Sequence, residues 1–161
     1  MEWMTLISTL SGAVLGVASA LVVDAVRVRR DRSARLLDAR RVAYVQFLVA
    51  LTETDAAIQL LALNNTTPIA HGLAQETFRS KSLLARRYEI GLVGPASVAT
   101  AAEVAYQRLR AVAVAIATTP VTVSVVRGSL ADNPEWEALH RPYADAIAEL
   151  RAVMKRDMAA P

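Results

Sequence analysis

The chain has 161 residues, no cysteine, a net charge of +3 at neutral pH and a mean hydropathy of +0.32. Without cysteine there is no disulfide, thiolate nucleophile or Cys-ligated metal. Aromatic residues make up only 5%, too few for a surface that stacks bases on rings. Seven arginines against three aspartates from Asp24 to Arg41 give +4, so the basicity is local and the remainder is nearly neutral.

The first element is Trp3 to Val23, 21 residues without a charged side chain. At the helical rise it spans about 31 Å, close to a hydrocarbon core of roughly 30 Å, and in lipid only a helix satisfies its own backbone hydrogen bonds. It is read as a membrane-spanning helix with Trp3 as interfacial anchor. Arg27, Arg29, Arg30, Arg32 and Arg35 follow it, which by the positive-inside rule puts residues 27–161 in the cytoplasm and the N-terminus outside. These five arginines are expected to contact lipid headgroups. Two readings compete with this one: a signal peptide cleaved near Ala18-Ser19-Ala20, and a buried helix of a soluble protein. A signal peptide carries its positive charge before the apolar run, where this chain has none, and a core helix rarely lacks charge for so long. Ser8, Gly12, Gly16 and Ala20 recur every four residues, a stripe of small side chains that would let two membrane helices approach closely. The domain division expected is therefore 1–26, the anchor, and 27–161, a cytoplasmic helical bundle.

From Arg27 no proline or glycine occurs until Pro68, so the membrane helix is expected to run on into the first helix of the bundle. Its packing stripe reads Leu37, Tyr44, Leu48, Leu51, Ile58 and Ala62. Asp55 lies inside that stripe and is expected to reach water or to pair with Arg86 or Arg87. Asn64 to Pro68 reads as a turn. A second helix is predicted from about Pro68 to Leu92, burying Leu73, Phe78, Leu83, Leu84, Tyr88 and Ile90. Gly94-Pro95 ends it and opens a third, Pro95 to Thr118, built on Val98, Ala101, Ala102, Ala105, Leu109, Val112 and Ile116.

Pro120 precedes Val121 to Val126, a β-branched stretch without a partner strand, read as an extended connector or irregular helix, and Arg127-Gly128-Ser129 reads as a turn. Asp132-Asn133-Pro134-Glu135 has the cap, proline and acid of a helix start. The last helix carries Trp136, Leu139, Tyr143, Ile147, Leu150, Val153 and Met154, and Pro142 is expected to kink or divide it. The fold class predicted is all-α, an antiparallel four-helix bundle continuous with the membrane helix.

The sequence carries few chemical motifs. Glu137 and His140 have the Glu-x-x-His spacing of di-iron bundles, but a second copy is missing and a surface pair is expected. No phosphate loop, dinucleotide fingerprint or nucleophile elbow is present. Arg86-Arg87 and Arg108-Leu109-Arg110 read as solvated faces or as partners of Glu89 and Glu103.

Several features in this order resemble a set of small actinobacterial hypothetical membrane proteins. They are the apolar N-terminal span, the arginine-rich exit, Arg41-Val42-Ala43-Tyr44-Val45-Gln46-Phe47-Leu48, Leu92-Val93-Gly94-Pro95 with Val98 and Ala101-Ala102, and Met154-Lys155-Arg156-Asp157-Met158. The likeness covers most of the chain and departs at Val121 to Val126 and at Pro142. It implies a single-pass protein with a cytoplasmic helical bundle, and it brings no activity or ligand with it.

The function expected is a membrane-anchored module that binds a second copy or another protein, without catalytic residues, cofactor, metal or small-molecule substrate. The alternative is a lipid- or stress-responsive membrane regulator, of phage or prophage origin, acting through Arg27 to Arg41. The partners expected are membrane lipid and protein, not nucleic acid.

Overall fold

The structure, a computed structural model, describes residues 2–64, 71–118, 130 and 133–159; within these, the side chains of 2–26, 28–30, 33, 64 and 71–74 are not described. The described residues form five helices and no strand: α1 (Glu2–Asn64), α2 (His71–Ser80), α3 (Leu83–Val93), α4 (Ala96–Thr118) and α5 (Pro134–Ala159). The fold class is all-α, as the periodicity predicts. The chain divides into two compact units, Met1–Asp38 and Ala39–Pro161. Several expectations lie outside the described residues or side chains: the Trp3 anchor, the Ser8/Gly12/Gly16/Ala20 stripe, the headgroup roles of Arg29 and Arg30, the turn at 65–68, Leu73 and the 121–129 connector.

The backbone of the Trp3 to Val23 run is helical throughout, as part of α1. One helical stretch near the N-terminus is, among the described residues, long and apolar enough to cross a membrane, Ala34–Leu63, with a mean hydropathy of 1.3. Trp3 to Val23, whose side chains are not described, lies outside that stretch and is neither supported nor opposed by it. The inner face of Ala34–Leu63 is the core of the second unit, where Phe47, Leu51 and Ile58 are fully buried, each worth about 1.5–3 kcal/mol on burial. Thr54 is buried among them and its hydroxyl donates to the Ala50 carbonyl at 2.7 Å, which satisfies a polar group that would otherwise be costly there.

Within the second unit α1 runs antiparallel to both α3 and α5. Arg40 and Gln46 meet Val93 and Arg86 of α3, while Tyr44 and Asp55 meet Asp157 and His140 of α5. The core closes with Leu83 and Ile90 of α3, Val98, Leu109 and Val112 of α4, and Leu150 of α5, all at or near zero exposure. On α4 the alanines 102 and 105 are fully buried, so neighbouring helices approach closely, as the small residues of this helix predict.

The predicted second helix is two helices. Ser82 adopts a left-handed conformation with φ of 51° and separates α2 from α3. The serines explain the break: the Ser80 hydroxyl donates to the Thr77 carbonyl at 3.1 Å, competing for a backbone acceptor, and the Ser82 amide closes a tight turn on Arg79 at 3.0 Å. The break also resets the register. Leu83 and Ile90, seven residues apart, take the core, while Leu84 and Tyr88, expected inside, are 46% and 60% exposed. Leu37, read as part of the α1 stripe, is 40% exposed.

The last helix begins where its cap predicts. Asn133 Oδ1 accepts from the amides of Glu135 and Trp136 at 2.9 and 3.1 Å. Pro142 does not divide α5, which runs through it to Ala159. Proline 142 and Ala138, whose carbonyl loses its amide partner there, are both exposed, so water can take up the orphaned acceptor.

Candidate functional site

The second unit carries two polar ties, a pocket and an apolar outer face. The first tie joins α1 to α5. His140 Nε2 lies 2.8 Å from Asp55 Oδ1, with both side chains mostly buried, and Gln59 donates to the other carboxylate oxygen at 2.9 Å. The imidazole is stacked on Trp136, ring centres 5.2 Å apart, and meets the edge of Tyr143 at 5.3 Å. Burial, and after it the Asp55 charge, pushes the Tyr143 phenol well above its ordinary value, so it stays protonated through the physiological range. Its hydroxyl points at the Leu51 carbonyl from 3.5 Å, too far for a strong bond.

This arrangement corrects two expectations. Asp55 pairs with a histidine, and not with Arg86 or Arg87, because α5 rather than α3 packs on its side of α1. Arg86 instead donates to Gln46 at 2.6 Å and pairs with Glu89 at 2.9 Å, and Arg87 pairs with Glu103 at 2.7 Å; both acidic partners are those the sequence suggests. His140 is not one half of a surface pair with Glu137 either. Glu137 lies 3.7 Å from Arg141 on the exposed side, and the histidine turns inward. A histidine oriented by a carboxylate is the usual base of acid–base catalysis. Here its bonded nitrogen is committed to Asp55, and the ring is wedged between two aromatic groups. Among the described residues no group of three or more His, Asp or Glu could hold a metal ion.

The second tie gathers three elements at the turn between α3 and α4. The Tyr44 hydroxyl donates to Asp157 Oδ2 at 2.7 Å, Arg40 Nε donates to the Val93 carbonyl at 2.7 Å, and an Arg40 terminal nitrogen lies 3.6 Å from Asp157. Burial is the main cause of a raised Tyr44 pKa, followed by the bond to Asp157. Arg40 is thereby withdrawn from any basic surface running to Arg41. Arg27, Arg32 and Arg35 are exposed and, among the described residues, pair with no carboxylate.

A pocket of about 450 Å³ opens between α2, α3 and α4. Phe78, Leu84 and Tyr106 line it together with the small side chains of Ala113 and Ala117. Arg87, Arg110, Gln75 and Gln107 also line it. The Arg87 guanidinium lies between the rings of Tyr88 and Tyr106, 4.7 and 4.8 Å from their centres. The sequence gives no hint of this space, since it depends on the break at Ser82 setting α2 apart from α3.

The remaining feature was legible. Opposite the buried face of α1, Val42, Val45 and Val49 are each about half exposed and Leu60 is 59% exposed. With Thr52 and Ala56, also exposed, the valines follow the alternating three- and four-residue spacing of a coiled-coil seam. A helix apolar on both faces within one unit is unusual in water.

Comparison with protein-family models, with curated proteins and with solved structures finds no match.

Proposed function

We propose that the chain is a single-pass membrane protein whose second unit is an antiparallel helical bundle continuous with the anchor, and that it acts without catalysis by associating with a second copy of itself through the outer face of α1. The observation that carries this reading is the seam of half-exposed valines 42, 45 and 49 on a helix whose opposite face is core. Burying it on an identical seam would remove a few hundred Å² per copy, below the roughly 800 Å² per partner of a stable interface. Such a contact is weak between free molecules and strong between anchored ones, because confinement raises effective concentration to the millimolar range.

Anchoring rests on the charge-free run Trp3 to Val23, and the orientation, with the N-terminus outside and the second unit in the cytoplasm, rests on the arginines that follow. Arg27, Arg32 and Arg35 are free to meet headgroups, with Arg29 and Arg30 beside them in sequence. In the membrane the stripe Ser8, Gly12, Gly16 and Ala20 would supply the corresponding contact, so copies would meet in parallel and each valine would face its own counterpart.

The absence of cysteine makes the test clean. Val45→Cys and Val49→Cys, each introduced alone and oxidised in native membranes, are expected to give cross-linked dimers, while Arg108→Cys on α4 is not. Equal cross-linking at all three positions, or none at the valines, overturns the reading. Recovery of the intact chain in the high-speed supernatant overturns the anchor.

A further inference from the structure

The pocket between α2, α3 and α4 lies away from the outer face of α1 and belongs to neither polar tie. Its volume of about 450 Å³ is within the range of roughly 300–1,000 Å³ that holds small ligands. The space exists because α4 places alanines at 113 and 117, one turn apart, where larger side chains would fill it. Its lining is mixed: Phe78, Leu84, Tyr106 and Val114 supply apolar surface, and Gln75, Gln107, Arg87 and Arg110 supply polar surface of comparable extent.

The charge along that lining is unbalanced. Arg87 is neutralised by Glu103 at 2.7 Å and held between two tyrosine rings, so its charge is already used. Arg110 follows Tyr106 by one helical turn, is exposed, and has no ion pair or hydrogen bond among the described residues. One uncompensated guanidinium beside a cleft of mixed lining suits a ligand with a single anionic head and a short apolar body, because a planar guanidinium grips a carboxylate or phosphate in two-point fashion while the body displaces water from Phe78, Leu84 and Val114. From this the geometry points to a binding site for an amphiphilic anion, an alkyl carboxylate or alkyl phosphate, with its head on Arg110 and its chain along Phe78, Leu84 and Val114. The site is independent of self-association and requires only the second unit.

The test titrates octanoate, octyl phosphate and octanol into the full chain held in phosphatidylcholine nanodiscs, with empty discs as blank, followed by calorimetry. Both anions should bind saturably at one site per chain, and octanol at least about tenfold more weakly. Arg110→Gln should weaken both anions about tenfold and leave octanol unchanged, and Val114→Trp, at a position 44% exposed, should abolish binding of all three. Repeating the octyl phosphate titration in discs containing phosphatidylglycerol separates the sources. Reduced apparent affinity identifies a bilayer lipid as occupant, and unchanged affinity a free amphiphile. Binding no greater than in empty discs, equal affinity for octanol and the anions, or wild-type affinity in Arg110→Gln overturns the proposal. Should Val114→Trp fail to fold by circular dichroism, the Arg110 variant, altered only at the surface, decides alone.

Discussion

The Tyr44 hydroxyl occupies the space that a side chain at residue 94 would need. A Cβ built on Gly94 lies 3.2 Å from that hydroxyl and 3.0 Å from the Ile90 carbonyl. Glycine is therefore required here by space and not by dihedral angle, since Gly94 has φ of −89°, open to any residue. Gly91, one turn earlier, has nothing within 4 Å of its would-be Cβ. The two glycines should respond in opposite senses. Gly94→Ala should destabilise by about 1–3 kcal/mol, because the Ile90 carbonyl is backbone and cannot yield cheaply. Gly91→Ala should stabilise by roughly 0.5–1 kcal/mol through helix propensity. Thermal unfolding of the full chain followed by circular dichroism measures both, and a loss at position 91 or no loss at 94 would refute the account.

Asp55 and His140 are separated by 85 positions in sequence and couple α1 to α5. Asp55→Ala and His140→Ala should each destabilise by about 1–3 kcal/mol, and the double variant by less than the sum, with a coupling of roughly 0.5–3 kcal/mol. Replacing Arg86 or Arg87 by alanine should not alter that coupling. Strict additivity of the Asp55 and His140 substitutions would show that the contact carries no energy of its own.

Tyr44 and Tyr143 give the fold a dependence on alkaline pH. Both phenols are raised in the folded chain, chiefly by burial, whereas in the unfolded chain they titrate near the ordinary value of about 10. A group raised on folding contributes stability that is complete below its unfolded value and is lost as pH rises toward its folded value. The melting temperature should therefore be insensitive to these groups up to about pH 9 and fall above about pH 10. Phenylalanine at position 143, whose hydroxyl makes only a long contact, should flatten part of that decline. An identical alkaline decline in Tyr143→Phe would remove Tyr143 from the explanation.

What the sequence disclosed and what it withheld follow from the range of the interactions involved. Helix identity, the Asn133 cap and the alanine face of α4 depend on neighbours within one or two turns, and spacing reveals them; the Gly94-Pro95 exit is legible in the same way, but the space that requires glycine at 94 is taken in part by Tyr44 of α1. The break at Ser82 is local too, but it turns on a competition between serine hydroxyls and backbone acceptors that propensity alone does not settle, and Leu84 and Tyr88 are misplaced as a result. Asp55 with His140 and Tyr44 with Asp157 join residues brought together only by the fold, so a single sequence has no signal for them. The outer valines of α1 were readable by the same periodicity as the core stripe.

Pro142 is a cost that α5 carries without interruption. It lies inside the helix, exposed, and removes the amide that would otherwise bond to the Ala138 carbonyl. Its neighbours hold the helix in place: Trp136, Tyr143 and Leu150 are buried against the core, and His140 is tied to Asp55. Proline in a helix interior is disfavoured relative to alanine by about 3 kcal/mol, part of which is offset here by water at the freed carbonyl and by proline's restriction of the unfolded chain. Pro142→Ala should therefore stabilise the chain by about 1–2 kcal/mol, raise amide protection in the turn preceding residue 142, and give the new amide at 142 the slow exchange of a helix interior. Hydrogen exchange resolved by residue, beside a thermal melt, measures both. A stability loss on this substitution would mean that proline's ring, and not its missing amide, is what this position uses.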